Sequence, residues 1–241
     1  MKKKSILAAL VLLALLEAWW IFDPLKPEPL KKLDLVDFPP RWANKVTRAP
    51  VRLQLGSHHY EVAVEYFFLQ PVKGSVFSMV AAWPSMLSYM EGQLIAKKNQ
   101  DKSFRGMTDS IGIALIPTDG RVNESYKVWY EDRQKIMDTV GKGDWPIVRL
   151  DDLGLYKMTS PGQEYYWPID PAVRTPLQGN PYLFYCDIGS ESNLRLTCIG
   201  SYQINQEVSV QVNFYKVHLK DWKPMFYKVQ EFIKSIEREQ P

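Results

Sequence analysis

Cysteine and histidine are scarce in this 241-residue chain, which holds only Cys186 and Cys198, and His58, His59 and His218. Zinc sites draw closely spaced Cys and His ligands, and none of those patterns is present. There is no Gly-x-Ser-x-Gly, so no nucleophile elbow is expected. A glycine-rich phosphate loop is missing too, which removes the usual signature of nucleotide binding. Catalysis therefore has no support in the sequence, and no cofactor or metal is expected. Net charge is small as well: 30 Lys and Arg stand against 27 Asp and Glu, a formal +3. A strongly basic nucleic-acid binder is disfavoured on that ground. No internal repeat is detectable, which argues against a solenoid. What remains, at 46% apolar and 24% charged residues, is globular in composition.

The +3 is unevenly placed. Lys2, Lys3 and Lys4 precede an apolar run over residues 6–22 whose single acid is Glu17. Setting that segment aside removes three bases and one acid, and the rest is close to neutral. As a helix the run would reach roughly 27 Å, enough for a bilayer's hydrocarbon layer. The lysines should stay cytoplasmic and the chain leave on the other side. Trp19 and Trp20 stand where an interfacial aromatic belt would lie. A cleaved signal peptide is the competing reading. The small residues fit a cleavage site poorly, because Leu12 and Leu16 stand two places before Ala14 and Ala18. Prolines 24, 27 and 29 then block helix and interior strand, as in a stiff spacer. The expected organisation is an anchor at residues 1–22, a proline-rich spacer at 23–43 and a periplasmic domain at 44–241. The irregular middle of that domain could divide it into two small lobes. This places the protein in the inner membrane by a single pass, or free in the periplasm if the anchor is cleaved.

Cys186 and Cys198 lie in two strand-like stretches separated by a polar turn at 189–193. Cysteines on paired strands can meet disulfide geometry, and an exported domain favours oxidation. The alternative is two free buried thiols. The spacing is not that of a redox-active Cys-x-x-Cys.

Period-two alternation marks a hairpin at 51–55 and 60–68, with Tyr60, Val62, Val64, Tyr66 and Phe68 on one face and residues 56–59 as its turn. A helix is expected over 84–98, with Met86, Leu87, Met90, Leu94 and Ile95 as its apolar positions. Strands follow at 111–116, 126–130, 154–158 and 164–167, with a short helix at 131–140 and a proline-rich loop at 168–181. Residues 208–214 alternate cleanly, after which the parity shifts to Tyr215, Val217 and Leu219, as at a bulge or a change of covered face. Asp221 is a candidate N-cap of the last helix, the alternative being a place within its first turn. Trp222, Met225, Phe226, Val229, Phe232, Ile233 and Ile236 form one wide apolar stripe, suited to docking on a sheet. The fold class is α+β: antiparallel sheet packed by a C-terminal amphipathic helix and one or two further helices.

Candidate chemistry is thin. His58 and His59 read as turn residues rather than metal ligands or a proton-transfer pair. A triad of His218, Ser209 and Asp221 has only closeness in sequence behind it. Asp151 and Asp152 read as loop surface. Aromatics say more. Trp129, Tyr130, Tyr165, Tyr166, Trp167 and Tyr182 lie in or beside loops, and Tyr and Trp are favoured at interfaces. They are the candidate partner-binding residues, against the alternatives of core packing or carbohydrate stacking.

Several stretches together resemble a known group. They are the hairpin from Val51 to Tyr60 running into Val62 and Tyr66, then Trp83-Pro84 followed by the strand at 111–116. With them go the segment from Cys186 to Cys198, the strand at 208–214, and Leu219 to Trp222 with its closing helix. The pattern resembles the membrane-tethered periplasmic immunity proteins encoded beside antibacterial effectors of the type VI secretion system. Residues 62–64 depart from it in lacking a proline. The resemblance implies a non-enzymatic inhibitor binding one cognate toxin protein. Two other functions fit parts of the sequence: an anchored envelope assembly or secretion accessory protein, and an envelope hydrolase using His58 or His59.

Overall fold

The computed structural model describes residues 50–73, 75–118, 147–160, 162–177, 181–189 and 195–238. The chain divides into two units, Met1–Leu33 and Asp34–Pro241, and every described residue belongs to the second. The anchor, the spacer, the strand expected at 126–130 and the helix expected at 131–140 lie outside the described residues. Among those described, no helix is long and apolar enough to cross a membrane.

The hairpin forms as β1 (Pro50–Leu55) and β2 (His58–Ala63). Val51, Leu53 and Leu55 point inward from β1, and Tyr60 and Val62 from β2. Its turn is tighter than expected. Gly56 (φ +59°) and Ser57 alone make it, because glycine takes the left-handed conformation without strain, so His58 and His59 become strand residues. The Glu207 carboxylate accepts from the Ser57 backbone N–H at 2.7 Å and from its hydroxyl, which ties the hairpin tip to the far strand turn. The single face expected over residues 60–68 does not run to its end. A 3-10 turn at Val64–Tyr66 stops the strand, and Phe68 emerges exposed.

The main sheet has eight antiparallel strands: β3 (Phe77–Ala82), β4 (Ser110–Pro117), β5 (Ile147–Leu150), β6 (Leu155–Ser160), β7 (Gln163–Pro168), β8 (Phe184–Asp187), β9 (Thr197–Gln203) and β10 (Val208–Tyr215). Their order is β3-β4-β10-β9-β8-β7-β6-β5. One face carries Phe77, Met79, Ile111, Ile113, Leu115, Val210, Val212 and Phe214, all essentially inaccessible. Helix α1 (Tyr89–Lys98) follows β3, and helix α2 (Trp222–Ile236) closes the chain. The parity shift after Phe214 is not a bulge. The backbone leaves the sheet in a 3-10 turn, Lys216–Asp221, which buries His218 and Leu219. Asp221 takes the N-cap position of α2 without a side-chain capping bond.

Phe226 of α2 lies over Gly200, where a Cβ would come within 2.7 Å of the ring. Phe184 and Val212 stand opposite that glycine in register, so its bare backbone leaves a seat for the ring. β11 (Glu237–Arg238) continues from α2 and pairs with β2, giving the three-stranded sheet β1-β2-β11. The small sheet, α2 and the inner face of the large sheet share one hydrophobic core. Cys186 and Cys198 face each other across β8 and β9 and form a fully buried disulfide in that core.

Candidate protein-contact surface

The aromatic residues expected at a contact surface are placed differently by the structure. β7 sends Tyr165 and Tyr166 to opposite faces, as period two requires. Tyr166 stacks on Phe184 with centroids 5.5 Å apart in the main core. Tyr165 packs with Met158 in a smaller cluster on the other face, beside Trp167 and Tyr185. Tyr182 lies under α2 against Phe226 and Tyr202, at 5.0 and 5.5 Å. Burial pushes its phenol up to about 12, against the hydrogen bond it receives from Gln230. Tyr165, Tyr166 and Tyr182 are therefore core side chains, a correction to the surface role expected for them. The reason is that a sheet covered on one face and clustered on the other hides most of its aromatic area. Trp167 stays half-buried, tilted against Tyr156 at 5.7 Å. Trp129 and Tyr130 lie outside the described residues, and the other four side chains are not gathered into one site.

The histidines are structural in their contacts. His58 Nδ1 lies 2.7 Å from Glu237 Oε1, which fastens the start of β2 to β11. His218 Nε2 is 2.8 Å from the Thr108 carbonyl and 3.0 Å from Asp109 Oδ1. Both partners are acceptors, so this nitrogen carries the hydrogen and donates. Asp109 also receives Arg105 Nη2 at 2.9 Å and the Arg105 backbone N–H. Its carbonyl accepts from the Trp83 N–H at 2.8 Å. Asp221 stands 3.7 Å from His218 Nδ1, while Ser209 sits on β10 with its hydroxyl buried and unbonded, so no triad forms. A buried carboxylate is expensive unless charge and hydrogen bonds compensate it, and here Arg105 and His218 do so. This cluster pins the loop after α1 to the end of β3 and to the 3-10 turn before α2. Among the described residues no three His, Cys, Asp or Glu side chains are grouped to hold a metal ion.

The exposed apolar surface lies elsewhere, around α1. The helix begins at Tyr89, five residues later than expected, because Ser88 caps it by accepting from the Glu91 N–H at 3.2 Å. The preceding residues turn, with the Met86 N–H bonded to the Ala82 carbonyl at 2.8 Å and Tyr66 donating to the Met86 carbonyl at the same distance. The helix meets the sheet through Gly92, whose missing Cβ would fall 2.4 Å from that of Ala82. With only Tyr89 and Gly92 buried, the larger side chains turn outward. Met90 is 51% exposed and Leu94 53%. They line a groove of about 710 Å³ whose other wall is the loop carrying Lys102, Phe104 and Gly106. Ile95 lies on the helix's other flank, over Ala82 and Pro84. Phe68 meets Tyr89 at 5.8 Å, and Leu69 beside it is the most exposed large apolar residue described.

The sequence marks Met90 and Leu94 only as apolar helix positions, which reads as burial. The signal that reverses the reading is Gly92: a helix that docks through glycine approaches by its backbone and has no side chain of its own to bury there. An apolar groove beside polar loops is how binding surfaces differ from ordinary protein surface.

Neither a family model nor a curated protein sequence matches the chain. One solved structure does, described as an immunity protein of the Stenotrophomonas maltophilia type IV secretion system. The match has a TM-score of 0.51 at 15% identity and covers 80% of this chain and 94% of that one. At that identity the likeness is one of fold, and this chain shares the fold of that immunity protein over nearly its whole length.

Proposed function

We propose that this protein is an immunity protein, a binder with no chemistry of its own that neutralises a cognate antibacterial toxin delivered by a secretion system. The observation that carries the reading is the fold held in common with an immunity protein across 94% of that protein's length. A buried disulfide suits the oxidising periplasm. The lysines and apolar run at the N-terminus suit a protein held on the outer face of the inner membrane. The sequence pattern resembles immunity proteins of type VI systems, whereas the structural neighbour belongs to a type IV system. A delivered toxin met by a dedicated binder is common to both, and that common part is what is proposed.

Co-expression of the full chain with the toxin from the adjacent gene tests this. The expected result is a stable stoichiometric complex, together with survival of cells that export the toxin. Toxin that stays unbound at micromolar concentrations, with cells dying regardless, would overturn it. Recovery of the chain only within a multi-component envelope assembly would favour the accessory role instead.

A further inference from the structure

We propose that the groove beside α1 is where the toxin docks, and that it receives an apolar-centred protein segment rimmed with carboxylates. This rests on the toxin-binding reading above and adds the place and the chemistry of contact. The two walls supply apolar area, Met90 and Leu94 from the helix and Phe104 from the loop. The rim supplies a surplus of positive charge. Lys97 and Lys102 line the groove, and among the described residues neither makes an ion pair. The groove's one acid, Asp101, is already engaged by the Ser103 backbone N–H and hydroxyl at 2.8 and 2.6 Å. Both bonds reach one oxygen from neutral donors, so Asp101 keeps its negative charge at the rim. What the groove shows a partner is therefore an apolar strip beside two ammonium groups and one carboxylate, a net positive rim, and the complementary ligand is apolar with a surplus of acid.

The wall is also built beforehand. Arg105, two residues beyond the last wall lysine's neighbour Ser103, is bonded through Asp109 to His218, so the loop does not have to be ordered on binding. A preformed groove lowers the entropy lost on association.

The test titrates toxin against the full-length chain and three variants: Leu94→Asp, Lys97→Glu with Lys102→Glu, and Trp167→Ala, five strands away from β3 in the sheet. Leu94→Asp is expected to weaken binding by about tenfold or more, as loss of a central apolar contact does. The double charge reversal is expected to weaken it roughly tenfold at low salt, with the gap closing as ionic strength approaches about 1 M. Trp167→Ala should bind as wild type. Wild-type binding that all three variants retain would overturn the groove assignment and leave the immunity reading standing. Loss confined to Trp167→Ala would move the site to the far end of the sheet. A wild-type chain that binds no toxin would remove the immunity reading and this inference with it. Two other occupants would also overturn the inference. A second copy would show as a dimer that Leu94→Asp dissociates. The chain's own residues 1–49 would show as new protease cleavage in that segment of the variant.

Discussion

Helix α2 lowers Trp222, Met225, Phe226, Val229, Ile233 and Ile236 into the core, whereas α1 buries only Tyr89 and Gly92 and leaves Met90 and Leu94 half exposed. Both sequences place apolar residues at helical spacing, and both helices lie close to a strand at a glycine. The difference is which partner owns the glycine. Under α2 it belongs to the sheet, so Gly200 admits the Phe226 ring and the helix spends its side chains inward. Under α1 it belongs to the helix, so Gly92 brings backbone onto Ala82 and the side chains are left for solvent or a partner. A glycine at a close contact thus tells which side keeps its side chains free.

The sharpest way to break this comparison is Phe226→Ala. A ring fully buried among Phe184, Tyr202 and Phe214 should cost about 3–5 kcal/mol on removal, read from denaturant unfolding. A loss below about 1 kcal/mol would mean that α2 is not seated as described. The strands under that helix are joined by the disulfide, whose cysteines are 12 residues apart. Reduction, or Cys186→Ala with Cys198→Ala, should remove about 3 kcal/mol in the entropic account and lower the thermal midpoint. An unchanged melt in reductant would contradict it.

Glu164 tests the same side of the molecule through pH. Burial alone would raise its carboxyl, but hydrogen bonds from Lys216 and Tyr166, with the Lys157 charge beside it, hold it below the usual carboxylate range. A depressed folded-state value means stability that is present above the unfolded value, about 4.3, and is lost as pH falls through the folded one. Glu164→Gln should therefore cost about 2 kcal/mol near neutrality. The difference from wild type should shrink below about pH 4. A difference constant down to acid pH would contradict the assignment.

The last two predictions concern α1. Gly92→Ala sets overpacking against Ala82 beside a gain in helix propensity of up to about 1 kcal/mol. The 2.4 Å approach of two Cβ positions decides the sign, for a net loss of about 1 kcal/mol. A stabilised variant would show that α1 can back away from its seat. Leu94→Ala should change stability by less than about 0.5 kcal/mol, because that side chain is half exposed. A larger loss would place Leu94 in a core and erase the contrast between the helices.

Local pattern was legible wherever the partner face was continuous. The hairpin's inward residues, the alternation of β10, the stripe of α2 and the opposed cysteine strands could all be read from spacing alone. What could not be read depends on contacts between distant parts of the chain. Tyr182 reads as a loop aromatic until α2 is laid over it. His218 finds Asp109 across 109 residues, and His58 finds Glu237 across 179. The groove was hidden for the same reason, since the apolar positions of its helix read as buried until Gly92 is set against Ala82, a strand residue.

The sequence by itself determined the kind of molecule: an α+β domain with alternating strands, a sheet-docking final helix and two cysteines on strand-like stretches, behind an N-terminal segment with the composition of an anchor. Those properties follow from periodicity and composition, which act over a few residues at a time. Only the tertiary structure decided which apolar residues are core and which are surface. Burial depends on what covers a face, and here the covering elements arrive from more than a hundred residues away.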